Sequence, residues 1–159
     1  MRIGQSSDVH PLVENRKLIL GGVEIEHNKG LLGHSDADAL LHAIAESILG
    51  ALALGDLGTW FSDQDPQYKG IDSSILLKDV IKKMKEYHYH IGNIDSLICV
   101  EQPKMKPHIA KMRENVAKWC ECEINQVNIK ATRGEGLGYV GRQEGILAQA
   151  VVLLEEDHV

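Results

Sequence analysis

The first residues with chemical potential are Asp8 and His10, which are separated by one residue near the start of the chain. Residues 1–10 are predicted to form a short strand, in which side chains two positions apart point to the same face. The carboxylate and the imidazole therefore project together, whereas Val9 points to the opposite face. Aspartate and histidine are ligands that zinc prefers. Taken alone, an Asp-x-His pair is more typical of a surface acid beside a loop histidine.

A third candidate ligand, His42, belongs to a predicted helix at about 37–53. Asp38, His42 and Glu46 recur every four residues and form one stripe on that helix. If the helix packs across the end of the first strand, His42 completes three protein ligands with an open fourth position, the arrangement of catalytic zinc. Asp38 or Glu46 would then orient His42 through a hydrogen bond. The alternative is a partly buried helix histidine that binds no ion.

Residues 130–146 are rich in glycine. A literal G-x-G-x-x-G falls at Gly136, Gly138 and Gly141. A dinucleotide site is excluded, because that fingerprint needs a following helix, a second strand and an acidic residue about 20 positions later. Only 18 residues follow Gly141, and their pattern is that of a strand. The segment is therefore predicted to be a loop between strands whose N–H groups hold phosphate oxygens, or else a flexible turn. Its charged residues include Glu135, Arg142 and Glu144.

The segment 101–109 (EQPKMKPHI) combines prolines and lysines ahead of a predicted helix. Helix N-termini favour anions, so this segment is a second candidate for phosphate contacts. The signal is weak by itself, because lysines are common on protein surfaces.

The predicted elements that must position these residues are strands and helices in mixed order. Residues 17–27 carry a hairpin signal at Gly21-Gly22. The helix at 37–53 is expected to be capped by Ser35. Turn-forming residues fill 56–71, which is predicted to be a loop. The remaining predicted elements are a helix at about 72–88, a strand at 93–101, a helix at about 106–120 and strands at about 126–132 and 145–154. Together they predict an α+β fold, a mixed sheet with helices packed on one face.

Length and composition favour a single domain over residues 1–159, and the cysteine count and lack of a targeting segment favour the cytoplasm. Apolar residues make up 43% and charged residues 25%, as in ordinary globular proteins. A net charge of −6 argues against a nucleic-acid partner and at first sight also against a phosphate-rich substrate. No apolar run approaches the roughly 20 residues of a membrane helix, and no signal or transit peptide is recognisable. Cys120 and Cys122 lack further metal ligands nearby, and the odd cysteine count favours a reducing compartment.

The motifs together resemble the family of 2-C-methyl-D-erythritol 2,4-cyclodiphosphate synthases, enzymes of non-mevalonate isoprenoid synthesis. The resemblance covers nearly the whole chain. The motifs that carry it are Asp8-Val9-His10, Gly33-His34-Ser35-Asp36-Ala37-Asp38, His42, Leu54-Gly55-Asp56-Leu57-Gly58, Phe61-Ser62-Asp63-Gln64-Asp65-Pro66, Tyr68-Lys69-Gly70-Ile71-Asp72-Ser73, Pro103-Lys104-Met105 and Gly141-Arg142-Gln143-Glu144-Gly145-Ile146.

The resemblance implies a phosphorus–oxygen lyase that cyclises 4-diphosphocytidyl-2-C-methyl-D-erythritol 2-phosphate to 2-C-methyl-D-erythritol 2,4-cyclodiphosphate and releases CMP. It also implies a homotrimer with active sites at the subunit interfaces. Zinc or another divalent metal would be held by Asp8, His10 and His42. Magnesium or manganese would bind the substrate diphosphate with the help of Glu135.

The resemblance also assigns roles to individual side chains. Catalytic roles fall to His34, Arg133 and Glu135. Contacts with the phosphates are implied for Asp8, His10, His34 and Ser35, and contacts with hydroxyl groups for Asp56 and Gly58. A loop over the methylerythritol end would include Phe61, Asp63 and Asp65. The cytidine pocket would consist of Val100, Lys104, Met105, Lys106, Ala131 and Thr132, and further substrate contacts are implied for Tyr139 and Arg142.

The chain departs from the family pattern in the glycine-rich loop. Arg133 and Gly134 replace two hydroxyl residues, and Gly136 replaces a lysine. The family residue at 133 is thought to help the transition state through a hydroxyl group, which Arg133 lacks. We expect Arg133 to neutralise phosphate charge instead; the alternative is a loop that has drifted, with weak activity. Two further replacements in the loop are Tyr139 for phenylalanine and Val140 for threonine.

A second departure is Ser6-Ser7, which replaces the usual Gly-Phe before Asp8. In the family that aromatic side chain lines an apolar cavity on the threefold axis, where Arg142 meets isoprenoid diphosphates. Its loss removes apolar surface from that cavity.

Two other functions fit the same residues. A zinc-dependent phosphohydrolase would use the Asp-His-His site with water as nucleophile and would need a base such as Asp38. A trimeric scaffold protein, in which the zinc is structural, would use the same residues without catalysing a reaction.

Overall fold

A mixed five-stranded sheet forms the centre of the computed structural model, which describes residues 1–158. Val159, the last residue of the predicted domain, lies outside the described residues. The strands are β1 (Arg2–Glu14), β2 (Leu18–Leu20), β3 (Val23–Ile25), β4 (Lys29–Leu31), β5 (Tyr89–Cys99), β6 (Val127–Thr132) and β7 (Gly145–Glu156). The α-helices are α1 (Ala39–Ala51), α2 (Leu57–Trp60), α3 (Ser73–Glu86), α4 (Ile109–Cys120) and α5 (Gly138–Gly141), with 3₁₀ turns at Pro66–Tyr68 and Ile124–Gln126.

The sheet order is β4-β1-β7-β5-β6, and β2 and β3 form a separate hairpin. β7 runs antiparallel to both of its neighbours, whereas β6 runs parallel to β5. The predicted mixed sheet and the hairpin at Gly21-Gly22 are therefore confirmed. Along β1, Asp8 lies opposite Ala148 and His10 opposite Ile146. This register places both candidate ligands against the apolar side of β7.

The helices cover one face of the sheet, as predicted. α1 packs on β1 and β7, and α4 packs on β6. Every second side chain of β7 is fully buried against them: Ile146, Ala148, Ala150, Val152 and Leu154. On the opposite face Ile3, Val9 and Val151 are 71%, 54% and 39% exposed. The period-two alternation of the strands thus separates a core face from an outer face that keeps apolar residues.

Two predicted boundaries were wrong for local reasons. α1 is capped by Asp38, not Ser35, because Ala37 has a left-handed backbone (φ 59°) that prevents an earlier start. Asp38 accepts hydrogen bonds from the N–H groups of Leu41, Gly21 and Gly22, at 3.1, 3.0 and 2.7 Å. β1 continues through Pro11, whose carbonyl accepts the N–H of Leu32 at 2.9 Å.

The strand predicted at 93–101 is β5, which begins earlier, at Tyr89, and ends at Cys99. The other differences concern short elements. β4 is three residues long and carries a glycine, so it left no periodic signal. The predicted loop at 56–71 contains α2 and the turn at Pro66–Tyr68, which are capped by Asp56 and Asp65. None of the helices within residues 1–158 combines the length and apolarity that crossing a membrane requires.

β1 and α1 pack closely at Gly4. A Cβ atom at this position would lie 1.8 Å from the carbonyl oxygen of Ser47 and 2.7 Å from the backbone nitrogen of Ala51. Both atoms belong to the rigid backbone of α1, so they cannot move aside as a side chain would. Only glycine lets the helix lie this close to the strand, and this distance sets how near α1 brings His42 to Asp8 and His10.

We expect Gly4→Ala to lower the free energy of unfolding by about 1–3 kcal/mol or more, because the added methyl group overpacks a backbone contact. Gly50→Ala is the matched control, since a Cβ there meets no atom within 4 Å. In this control, alanine is a better helix former than glycine, so the free energy of unfolding should rise by about 0.5–1 kcal/mol. Urea denaturation of the two variants measures both effects. Equal changes in the two variants would contradict the close approach at Gly4.

Candidate active site

Asp8, His10 and His42 converge at one point, as the predicted packing of α1 on β1 requires. Asp8 Oδ2 lies 2.8 Å from His10 Nε2 and 3.3 Å from His42 Nδ1. The two imidazole nitrogens are 3.4 Å apart. All three side chains are partly buried, with 13–27% of each side chain exposed. Within residues 1–158 no other group of three His, Cys, Asp or Glu side chains has this geometry, and Cys120 and Cys122 are not part of one.

The three atoms fit a divalent cation. Ligands at zinc distances of about 2.0–2.2 Å in a tetrahedron are roughly 3.3–3.6 Å apart, close to two of the three separations observed here. Asp8 Oδ2 is buried, and among the described residues no group gives it a well-directed hydrogen bond. A buried carboxylate oxygen without such a partner is costly unless an ion satisfies it. The donor set of one carboxylate and two imidazoles is one that zinc accepts and leaves a fourth position open.

Electrostatics favour a positive charge at this point. Burial by itself would raise the pKa of Asp8, but the imidazoles of His10 and His42, which face the carboxylate at 2.8 and 3.3 Å, outweigh it and lower the pKa to about 2. Burial would likewise lower the pKa of His10, yet the Asp8 carboxylate raises it above its ordinary value. Asp8 is therefore ionised at neutral pH. A cation that binds here displaces any proton held by His10.

Each imidazole is held through the nitrogen that faces away from the cluster. His10 Nδ1 lies 2.9 Å from the carbonyl oxygen of Leu32. His42 Nε2 lies 2.8 Å from Ser73 Oγ and 3.1 Å from Ser35 Oγ. The nitrogens that face the centre of the cluster, and that could bind an ion, are thus Nε2 of His10 and Nδ1 of His42.

The expectation that Asp38 or Glu46 orients His42 was wrong. Asp38 is fully buried under the Gly21-Gly22 turn, where burial raises its pKa to about 6. Glu46 accepts the N–H of Leu57 at 3.1 Å and the hydroxyl of Ser6. Both carboxylates are therefore used to join α1 to neighbouring segments. The contact with Ser73 was missed, because Ser73 is 31 residues from His42 and no sequence spacing links them.

A cavity of about 480 Å³ opens beside the three candidate ligands. Its remaining lining residues are Gly33, His34, Ser35, Glu46, Leu57, Gly58, Phe61, Asp63, Tyr68 and Leu76. The structure thus brings together most residues that the resemblance assigned to the phosphates and the methylerythritol end. Asp56 and Asp65 stand outside this lining. The Asp56 carboxylate accepts from the Thr59 N–H at 2.9 Å, and the carbonyl of Asp65 lies 3.0 Å from His34 Nε2.

A second cavity, of about 200 Å³, lies between the segment after β5 and the end of β6. It is lined by all the residues that the resemblance assigned to the cytidine, namely Val100, Lys104, Met105, Lys106, Ala131 and Thr132. Glu101, Gln102, Pro103 and Arg133 complete the lining. The two cavities have no lining residue in common.

Arg133 is tied to the second cavity by Glu101. Its guanidinium donates to Glu101 Oε1 at 2.7 Å, and the other oxygen of that carboxylate accepts the N–H of Gly134 at 2.9 Å. The Glu101 side chain is only 8% exposed, whereas the Arg133 side chain is 59% exposed. Arg133 lowers the pKa of Glu101, which stays ionised. Sequence reasoning did not single out Glu101, whose partner is 32 residues away.

Glu135, Tyr139 and Arg142 line neither cavity within residues 1–158. Glu135 is exposed on the loop before α5, with a left-handed backbone of φ 53°. Arg142 forms an exposed ion pair with Glu144 at 2.9 Å. In one copy of the chain these residues are therefore separate from both candidate substrate pockets.

Comparison with known proteins gives consistent matches along the chain. The model of the YgbB family matches residues 1–155. The curated 2-C-methyl-D-erythritol 2,4-cyclodiphosphate synthase of Trichlorobacter lovleyi is 58% identical over 154 residues, which are 97% of this chain and 98% of the relative. The synthase of Clostridium perfringens is also 58% identical over 154 residues, 97% of this chain and 99% of the relative.

Solved structures show the same fold. The bifunctional IspDF of Campylobacter jejuni matches with a TM-score of 0.94 and 38% identity, covering 98% of this chain and 42% of that protein. IspF of Plasmodium falciparum, solved as a CDP complex, matches with a TM-score of 0.87 and 32% identity over 99% of this chain and 97% of that protein.

Proposed function

The chain belongs to the YgbB family, and we propose that its Asp8, His10 and His42 hold the metal ion of the reaction for which its relatives are named. That reaction cyclises 4-diphosphocytidyl-2-C-methyl-D-erythritol 2-phosphate to 2-C-methyl-D-erythritol 2,4-cyclodiphosphate and releases CMP. The chain is accordingly a phosphorus–oxygen lyase of isoprenoid precursor synthesis. The observation that carries the metal proposal is the convergence of one carboxylate oxygen and two imidazole nitrogens within 3.4 Å of one another.

The chemistry needs little acid–base help from the protein. The nucleophile is the 2-phosphate of the substrate itself, which is already ionised. The difficulty is to bring this anion onto the anionic diphosphate. Catalysis is then mainly positioning and charge neutralisation, and holding two reacting groups of one molecule in line is worth about 7–11 kcal/mol. Zinc or another divalent ion, when bound, supplies positive charge that polarises the phosphate.

The residues around the larger cavity are suited to hold the reacting end of the substrate. His34 and Ser35 lie in the turn beside the ligands, and this turn is fixed by hydrogen bonds to the segment 65–71. Their side chains would contact phosphate oxygens. Gly58, Phe61 and Asp63 close the other side of the cavity and would meet the methylerythritol end. Asp56, which caps α2, would reach a substrate hydroxyl.

The smaller cavity would take the cytidine. Val100, Met105 and Ala131 supply apolar surface, and Lys104 and Lys106 supply positive charge at its edge. Magnesium or manganese would accompany the diphosphate and be held by Glu135. The two cavities of one chain share no lining residue, which is compatible with the interface site that the family resemblance implies, where one substrate would lie between the larger cavity of one copy and the smaller cavity of a neighbour. A neighbouring copy would also bring Glu135, Tyr139 and Arg142 to the substrate.

The outer face of the sheet supports assembly into a homotrimer. Ile3, Val9 and Val151 leave apolar surface on this face that no described residue covers. On this face Ile3 pairs with Leu153 and Val9 with Leu147, and large exposed apolar patches typically mark an interface. We propose that three copies pack these faces together and form the active sites between them.

Sedimentation equilibrium tests the assembly. We expect the native protein to have three times the chain mass of 17.6 kDa. Introducing two charges into the outer face, Ile3→Asp with Val151→Asp, should dissociate it. Ile124→Asp is the matched control, because Ile124 is 46% exposed in a 3₁₀ turn outside the sheet. A native monomer, or a trimer that survives the double change, would refute this interface.

Phosphorus NMR with the purified substrate tests the function itself. We expect the native enzyme with Zn²⁺ and Mg²⁺ to form the cyclic diphosphate and CMP. Chelation should abolish turnover while the fold persists, since the donor set leaves an open position. His42→Ala should slow turnover by about 100-fold or more with a much smaller loss of stability. An open-chain product would indicate a phosphohydrolase, and unfolding on chelation would indicate a structural metal.

Arg133 is proposed to neutralise phosphate charge at the mouth of the smaller cavity. Its ion pair with Glu101 holds the exposed guanidinium at the cavity that Lys104 also lines, and leaves other N–H groups of the guanidinium available. Arg133→Thr should weaken binding of CDP with Mg²⁺ by about 5- to 50-fold, since it removes charge-assisted hydrogen bonds. Binding of cytidine, which has no phosphate, should stay unchanged in the same variant and controls for damage to the pocket. Calorimetric titration measures both; unchanged or tighter CDP binding would contradict this role.

A further inference from the structure

A chain of hydrogen bonds leads from His42 to a carboxylate that the proposed mechanism does not use. His42 Nε2 lies 2.8 Å from Ser73 Oγ, and the Ser73 hydroxyl donates in turn to Asp36 Oδ1. Asp36 Oδ2 accepts the backbone N–H of Ser73 at 3.1 Å. Ser73 is 1% exposed, so water does not compete for its hydroxyl.

The number of available protons decides which way these bonds point. A serine hydroxyl has one proton, and a carboxylate can only accept. Because Ser73 gives its proton to Asp36, it offers His42 only a lone pair. His42 Nε2 must then carry the ring proton, and the lone pair of the neutral imidazole lies on Nδ1. Nδ1 is the atom that faces Asp8 Oδ2 and His10 Nε2.

The supporting groups are themselves fixed. Ser73 is the first residue of α3, which is capped by Asp72. Asp36 lies in the turn before α1 and also accepts the backbone N–H of Asp38 at 3.1 Å. The Asp36 carboxylate therefore joins the starts of α1 and α3. The hydrogen-bond relay from His42 through Ser73 to Asp36 is thus held in position by two helices.

His10 is held by a different group, the carbonyl of Leu32, which leaves Nε2 free in that ring. The two histidines thus need opposite tautomers, and each has its own acceptor. Ser35 Oγ also lies 3.1 Å from His42 Nε2, but it accepts the N–H of Ala37 and is open to the substrate cavity. Ser73, with its carboxylate behind it, is the partner that does not depend on substrate.

We propose that Ser73 and Asp36 are positioning residues, which lock His42 in the Nε2–H tautomer and so present Nδ1 to a divalent cation. The inference rests on the proposed metal role of His42. Groups that accept the outer proton of a histidine ligand orient the ring and raise its basicity, and their loss typically costs about 10- to 100-fold in metal affinity.

Cobalt(II) is the probe, because its visible absorption reports ligand geometry and a competing chelator gives its affinity. We expect Ser73→Ala to weaken Co²⁺ binding by about 10- to 100-fold and to alter the spectrum. Asp36→Asn should act in the same direction, since it frees the Ser73 proton to point at His42 Nε2. Ser74→Ala is the matched control: Ser74 is 3% exposed in the same helix, and its hydroxyl takes no part in the relay.

Long-range ¹H–¹⁵N NMR of histidine-labelled, metal-free native protein gives a second test that needs no variant. We expect the His42 ring to carry its proton on Nε2. A His42 proton on Nδ1, or Ser73→Ala binding Co²⁺ as tightly as native protein, would overturn the proposal. A native protein that binds no divalent cation would instead refute the proposed function. The two failures are therefore distinguishable.

Discussion

The contact between β1 and the backbone of α1 at Gly4 is the constraint on which the site depends. Asp8 and His10 come from the strand, and His42 comes from the helix, so their separation is set by how closely these elements pack. The absence of a side chain at Gly4 lets the Ser47 carbonyl approach the strand. A hydrogen bond from the Ser6 hydroxyl to Glu46 joins the same two elements, and Asp38 fixes the start of the helix under the β2–β3 hairpin. The cation site is thus a consequence of packing and not of a flexible loop.

Local periodicity predicted the parts of this arrangement that depend on neighbouring residues. The period of two places Asp8 and His10 on one face, and the helical spacing places His42 on α1; both were confirmed. The orienting groups escaped prediction because they are distant in sequence. Ser73 meets His42 across 31 residues, and Glu101 meets Arg133 across 32. Asp38 was assigned to His42 because spacing alone suggested it, but the left-handed Ala37 turns the chain so that the carboxylate caps the helix instead.

The net charge of −6 is compatible with a phosphate-rich substrate once the acids are seen in place. Asp8 lies where a cation fits, and Asp36 is proposed to orient His42 through Ser73. Asp38 and Glu46 join α1 to neighbouring segments. Glu101 anchors Arg133, which keeps its guanidinium exposed at the smaller cavity. On the proposed mechanism, bound cations and a few local basic groups neutralise the phosphates, and the surface need not be basic. The net negative charge then argues against nucleic acid as a partner but does not argue against a small anionic substrate.

The most direct test of the central claim is a crystal structure of the zinc-loaded protein with anomalous data at the zinc absorption edge. The geometry predicts one ion bound by Asp8 Oδ2, His10 Nε2 and His42 Nδ1, at about 2.0–2.2 Å from each, with a fourth position left for substrate or water. An ion held by other side chains, by the opposite nitrogen of either histidine, or by four protein ligands would contradict it.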